Sequence, residues 1–214
     1  MRRKIFMLGS GVHYTADYWS LQAQKQVIAE ISQAIDKAPF FKPLMPRTGQ
    51  PWSIWMSNMG KLGWVSDKQG YRYQPHHPDL EAAWPEIPDI LLKAWDALTQ
   101  YPAPPECCLI NYYDQPKAKM GLHQDRDEED FDAPVLSFSL GDTAVFRMGG
   151  DTRKSPTASI KLKSGDALSF GGPARLHFHG IDRILFGSSQ LLTQFPKFAQ
   201  GGRINLTLRR VSPL

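Results

Sequence analysis

Gly121–Asp142 reads GLHQDRDEEDFDAPVLSFSLGD, and the fold turns on how this stretch is interpreted. Val135–Leu140 is a short apolar run bounded by Pro134 and Gly141, the pattern of a buried strand. Ahead of it, six of the eight residues Asp125–Asp132 are acidic, in a chain whose net charge is +4. His123 stands two residues before the first aspartate. In extended backbone His123, Asp125 and Asp127 point to one side, and Gln124 and Arg126 to the other. A calcium loop starting at Asp125 fails, because its sixth position is Asp130 rather than Gly and its twelfth is Leu136 rather than Glu. Alone, His-x-Asp is weak evidence for a metal site, and a solvated acidic loop is the default reading.

Outward from this stretch, the second half of the chain is strand-like. The runs CCLINYY, PVLSFSL, TAVFRMG, SIKLKSG, DALSFGG, RLHFHGI and RINLTLRR are short and β-branched or aromatic, and Gly, Pro or Asp separates them. Such spacing predicts a sandwich or jelly-roll barrel. Two helices are expected earlier. One follows Ser20, with Leu21, Ile28, Ile31 and Ile35 apolar and a stop at Pro39. The other runs from Pro88 to about Gln100, with Leu91, Ala94, Trp95 and Leu98 on one face. Between them, Phe40–Trp84 reads as irregular structure with short strands. The expected architecture is mainly β with α (α+β), a β-barrel-like core braced by N-terminal helices.

Composition narrows the class of function. The chain has 214 residues, 42% of them hydrophobic and 21% charged, as in a water-soluble domain. Without Asp125–Asp132 the balance is 25 − 1 = 24 bases against 21 − 6 = 15 acids, or +9. Such an excess suits a polyanionic partner. The adjacent Cys107 and Cys108 are poorly placed for an unstrained mutual disulfide, and we expect reduced thiols in a cytoplasmic protein. The N-terminal apolar run, Ile5–Leu8, is too short for a secretory core, and no stretch approaches a membrane span.

A second histidine source gives the acidic stretch its chemistry. LHFHG supplies His177 and His179, both expected on one face of a strand, in a chain with six histidines. Two histidines and a carboxylate form the facial triad that binds Fe(II) and leaves positions for oxygen and substrate. Spacing does not choose between His177 and His179. In the C-terminal run RINLTLR, Arg203, Asn205, Thr207 and Arg209 share one face. On an edge strand that face would meet solvent. Inside a barrel, two guanidiniums would need an anionic partner such as the dicarboxylate 2-oxoglutarate.

The segments INYY, LHQDRDEEDFDAPVLSFSLG, FGGPARLHFHGI and RINLTLRR together resemble the AlkB family of iron- and 2-oxoglutarate-dependent dioxygenases, which repair alkylated DNA. The resemblance is strongest over Cys107–Arg210 and extends back to about Met56 through MGKLGWVSDKQGYRY. It departs at Asp114–Lys119, one residue longer than expected, and at Phe40–Pro51, which matches no substrate lid. The resemblance implies a double-stranded β-helix (jelly roll) over residues 106–214, with residues 1–105 supplying helices and a nucleotide-recognition lid. It implies His123, Asp125 and His179 as iron ligands, with His177 outside the triad. Asn111, Tyr112, Tyr113, Arg203, Asn205 and Arg209 would hold 2-oxoglutarate, Arg209 pairing its distal carboxylate. Trp64 would stack on the damaged base, with Tyr71, Arg72, Tyr73 and Arg153 also on the substrate side. Asp127 would face the exocyclic amine, and Glu128–Asp132 would form a solvated turn.

The implied reaction consumes Fe(II)-bound oxygen and 2-oxoglutarate and removes the methyl group of N1-methyladenine or N3-methylcytosine as formaldehyde, with succinate and carbon dioxide as coproducts. The implied partner is alkylated single- or double-stranded DNA, with RNA as a further class, and the expected state is a monomer. Two alternatives stand beside it: a dioxygenase of RNA, protein or a small metabolite, and a non-catalytic jelly-roll binding module.

Overall fold

Ser20 opens the first helix, its hydroxyl accepting from the Ala23 amide in the usual N-cap arrangement. The computed structural model describes residues 9–214, so the Ile5–Leu8 run lies outside the described residues. Helix α1 (Leu21–Lys37) buries Val27, Ile28, Ile31 and Ala34 and ends at Ala38, before Pro39. Leu21, expected in the core, is 59% exposed. Gln24 is buried on that first turn instead, its amide donating to the Trp19 carbonyl and accepting from the Ser164 hydroxyl. Helix α2 (Asp89–Thr99) buries Leu91, Ala94 and Trp95, and stops where Gln100 adopts the left-handed conformation.

Among the described residues there are twelve strands. They are β1 (Val12–Thr15), β2 (Trp55–Gly60), β3 (Gly63–Asp67), β4 (Gly70–Gln74), β5 (Cys107–Tyr113), β6 (Met120–His123), β7 (Val135–Gly141), β8 (Thr143–Met148), β9 (Ala158–Leu162), β10 (Ala167–Phe170), β11 (His179–Leu185) and β12 (Arg203–Arg209). A six-stranded antiparallel sheet runs β1-β10-β7-β12-β5-β2, a four-stranded sheet runs β6-β11-β8-β9, and β3-β4 is a separate hairpin. The region between the helices is therefore more regular than expected. Strands from both sides of residue 105 share the large sheet, since β2 pairs with β5.

Alternation divides the core into two layers. Cys108 and Ile110 of β5, Leu136, Phe138 and Leu140 of β7, and Ile204, Leu206 and Leu208 of β12 pack against α1 and α2. The opposite faces contribute Leu109, Tyr113, Val135 and Phe170, which meet Phe146, Met148 and Ile181 from the smaller sheet. Two facing antiparallel sheets with helices on one outer face are a jelly roll. The strand β12 is central, bonded to β5 on one side and β7 on the other. Its polar face thus lies between the sheets and away from solvent.

Among the described residues no helix is long and apolar enough to cross a membrane. Cys107 and Cys108 are free and buried, and point to opposite layers.

Candidate active site

Cross-strand pairing assembles the metal-binding group. β11 begins at His179, opposite His123 at the end of β6, and the two imidazole centroids lie 4.5 Å apart. Gly180 permits this approach, because a Cβ there would sit 2.6 Å from the Met120 carbonyl oxygen. His177, expected on the same strand face, precedes the strand, in a connection bent by the turn at Gly172–Ala174. Its Nε2 lies 3.3 Å from Asp151 Oδ1 instead. Ligand atoms of His123, Asp125 and His179 all fall within 4.8 Å of one another.

The surroundings prepare these groups for a cation. His123 Nδ1 lies 2.9 Å from the Gly121 carbonyl and His179 Nδ1 lies 3.0 Å from the His177 carbonyl. A proton on each Nδ1 leaves Nε2 as a free lone pair, the tautomer a metal requires. Burial, with the His123 charge beside it, pushes His179 down to about 4, so its ring is neutral at physiological pH. Burial alone would raise Asp125, but the Arg209 guanidinium and the two imidazoles hold its carboxyl well below the usual carboxylate range. Asp125 Oδ2 is buried without a hydrogen-bond partner. A carboxylate whose Oδ1 lies 3.5 Å from His123 Nε2 and whose unpartnered Oδ2 lies 3.7 Å from His179 Nε2 is a donor set that fits a divalent metal ion.

The polar face of β12 forms the floor beside this triad. Arg203 is fully buried, and its Nη2 donates to Ser139 Oγ at 3.0 Å. Its Nε and Nη1 have no partner, and burial lowers its proton affinity. Register places Asn205 opposite Asn111, and their side chains are bonded at 3.3 Å. Tyr113 lies under the Arg203 guanidinium, 5.4 Å from it. Tyr112, by the same alternation, faces the helices. Its ring packs against Phe40 and Phe198, and its hydroxyl donates to the Gly201 carbonyl, so it lies outside the site. Arg209 is already neutralised. Its Nη2 is 2.9 Å from Asp125 Oδ1 and its Nη1 is 3.4 Å from Glu128 Oε1.

A cavity of about 330 Å³ lies over the triad and this floor. Trp64 lines this cavity, and the buried Asn58 side chain bonds both its amide and its carbonyl, fixing the residue on β3. Trp64 Nε1 donates to Asp127 Oδ2 at 2.8 Å, Tyr71 stacks on its ring at 5.6 Å, and Trp52 meets it edge-on. Arg153 lines the cavity with its guanidinium 5.1 Å from the Phe178 ring. Arg72 points out of the hairpin's other face to a bidentate pair with Asp67, and is not part of the cavity. Tyr73 turns inward, and its hydroxyl bonds Glu128 and Arg209 rather than facing the cavity.

The turn Glu128–Asp132 is not simply solvated. Glu128 and Asp130 are buried, the first against Arg175 and the second accepting from the Tyr101 hydroxyl. Trp52, Arg126, Glu128 and Arg175 are site residues that sequence reasoning missed. No spacing rule marks them: Trp52, Glu128 and Arg175 meet their partners through the tertiary fold, and Arg126 is placed only by lining the cavity.

The chain matches the model of the 2OG-Fe(II) oxygenase superfamily over residues 11–209. It is 49% identical over 198 residues to an alpha-ketoglutarate-dependent dioxygenase AlkB homolog of Caulobacter vibrioides, covering 91% of this chain and 86% of that protein. It is 36% identical to the alpha-ketoglutarate-dependent dioxygenase AlkB of Escherichia coli, over 90% of this chain and 87% of that one. The solved structure of OsALKBH1 superposes with a TM-score of 0.77 at 32% identity, covering 95% of this chain and 99% of the other.

Proposed function

Because the chain belongs to the AlkB family of the 2OG-Fe(II) oxygenase superfamily and is a 2-oxoglutarate-dependent dioxygenase, we propose that it demethylates N-alkylated bases in nucleic acid, with N1-methyladenine and N3-methylcytosine in DNA as substrates. The observation that carries this reading is the pairing of Trp64 with Asp127, an aromatic face and a carboxylate fixed together in the lining of the cavity over the triad. Both proposed bases are cations with an exocyclic amine. A carboxylate attracts the charge, and the Trp64 face adds cation–π attraction. Asp127 Oδ2 is taken by the indole, which leaves Oδ1 to accept from the amine. A methylated Watson–Crick edge pairs badly, so extruding that base costs less than extruding an intact one.

His123, Asp125 and His179 would hold the iron, which supplies oxygen activation when bound. Arg203 is the residue we assign to the distal carboxylate of 2-oxoglutarate, in place of Arg209. Its Nε and Nη1 are buried donors without a partner on either side of the Nη2 that bonds Ser139, whereas Arg209 is committed to Asp125 and Glu128. Tyr113 and Asn205 border the same fork. Hydroxylation of the N-methyl carbon gives a hemiaminal that collapses to formaldehyde and the unmodified base. Trp64, Tyr71 and Asp127 fix the base's orientation while the methyl group faces the triad.

The test is formaldehyde release from oligonucleotides carrying one N1-methyladenine or N3-methylcytosine, as single strand, duplex and RNA, with Fe(II) and 2-oxoglutarate supplied. Release from DNA is expected. Turnover of 2-oxoglutarate without formaldehyde from any oligonucleotide would move the substrate to a protein or a metabolite.

A further inference from the structure

A buried network that the proposed reaction does not use joins the base-recognition hairpin to the metal ligand Asp125. Its centre is Glu128, whose side chain is fully shielded from solvent. Glu128 Oε1 accepts from the Tyr73 hydroxyl and lies 3.4 Å from Arg209 Nη1, and its Oε2 lies 3.1 Å from Arg175 Nη2. Arg175 is itself 3% exposed, and donates to the carbonyls of Asp125 (2.7 Å) and Ala133 (2.9 Å). Arg209 donates to the Tyr73 oxygen at 3.1 Å and to Asp125 Oδ1 at 2.9 Å. Two buried guanidiniums thus face two buried carboxylates. Arg209 takes Oδ1, which also lies 3.5 Å from His123 Nε2, and leaves Oδ2, 3.7 Å from His179 Nε2, without a hydrogen-bond partner.

We propose that Glu128 and Tyr73 are positioning residues for Asp125. They hold Arg209 against Oδ1, so that Oδ2 is the oxygen presented to the metal. Because Tyr73 lies on β4, the same contacts fix the hairpin bearing Trp64 and Tyr71 to the metal ligand. The inference rests on the functional reading above only for the identity of the base that the hairpin receives. Partners of metal ligands typically change metal affinity by about 10- to 100-fold when lost, because they fix the ligand's orientation.

An architectural network would lower thermal stability and leave the coordination sphere alone, so the test separates these effects. Tyr73→Phe deletes one oxygen at the hub. Tyr101→Phe is its matched control, deleting a hydroxyl that donates to Asp130 in the same acidic loop without contacting Glu128 or Arg209. Metal-free proteins are titrated with Co(II), following affinity and the visible d–d bands. Tyr73→Phe should bind Co(II) about 10-fold more weakly, with altered bands, since the ligand's partner shell is broken. Tyr101→Phe should keep the wild-type affinity and bands while melting at lower temperature. Glu128→Gln should weaken binding further. If it does not fold, Tyr73→Phe decides the matter. Wild-type Co(II) affinity and spectrum in Tyr73→Phe, or an equal loss in Tyr101→Phe, would overturn the proposal. A wild-type protein that binds Co(II) but demethylates no base would refute the functional reading and leave this comparison intact.

Discussion

Replacing Arg203 by Lys separates the cosubstrate site from the metal site. Arg203 donates to Ser139 and packs over the Tyr113 ring, and two of its buried donors have no hydrogen-bond partner. Lysine retains the charge but loses the planar fork that matches a carboxylate. A buried carboxylate left half-paired costs on the order of 2–5 kcal/mol. At about 1.4 kcal/mol per tenfold, this is a loss of roughly 30- to 4,000-fold in 2-oxoglutarate affinity. Metal affinity should be unchanged, because no atom of Arg203 is bonded to His123, Asp125 or His179. The companion variant Arg203→Met should raise the melting temperature of the protein free of 2-oxoglutarate, since it removes a buried charge lacking a carboxylate. The assay is an anaerobic titration of the Fe(II)-loaded protein with 2-oxoglutarate, read by metal-to-ligand charge-transfer absorbance. Wild-type affinity in Arg203→Lys would refute the pairing. A loss in Arg209→Lys with undiminished metal binding would return the carboxylate to Arg209.

Further outcomes follow from the same geometry. His123→Ala, Asp125→Ala and His179→Ala should each abolish metal binding and turnover, while His177→Ala keeps most of both; an inactive His177→Ala beside an active His179→Ala would reverse the assignment. Trp64→Ala should weaken methylated-oligonucleotide binding by about 1–3 kcal/mol, the usual cost of losing one base–aromatic stack. Consumption of 2-oxoglutarate without nucleic acid should change far less, and an equal loss of both would make Trp64 a fold residue. His179 should also make metal-free stability depend on pH. Its folded value of about 4 lies below the ordinary 6.5, so between those limits the unfolded chain binds the extra proton and stability rises with pH. At about 1.4 kcal/mol per unit, the wild type should lose roughly 3 kcal/mol between pH 7 and pH 4 that His179→Gln does not lose. Urea denaturation of both proteins across that range measures it, and parallel profiles would contradict it.

Alternation made most of the core legible. In β12 apolar and polar residues trade places at every step, so strand position and face could be read together, whereas the apolar runs Cys107–Ile110 of β5 and Val135–Leu136 of β7 mark buried strands without showing a face. The polar face of RINLTLR was ambiguous because local sequence does not distinguish a central strand from an edge strand. Pairing with both β5 and β7 resolves it. The same rule sends Tyr112 away from the site its neighbours Asn111 and Tyr113 border. His177 illustrates a boundary error, since a strand starting two residues later turns an apparent face-mate of His179 into a loop residue. The acidic run was the least readable feature. A charge count gives no sign that Glu128 and Asp130 are buried, because what neutralises or bonds them, Arg175, Arg209 and Tyr101, lies far along the chain. The pairing of Arg209 was likewise hidden, since the carboxylates that occupy it meet it only when the acidic loop folds back over β12.

On the proposed function, the cavity over His123, Asp125 and His179 removes a methyl group from a base held by Trp64 and Asp127. Intact-mass spectrometry of a single-stranded DNA bearing one N3-methylcytosine, after incubation with Fe(II), 2-oxoglutarate and air, tests it most directly. The expected product is an oligonucleotide lighter by one methylene, with formaldehyde and succinate formed in equal amounts, and no change with Asp125→Ala. An oligonucleotide of unaltered mass in the presence of continuing succinate production would contradict it.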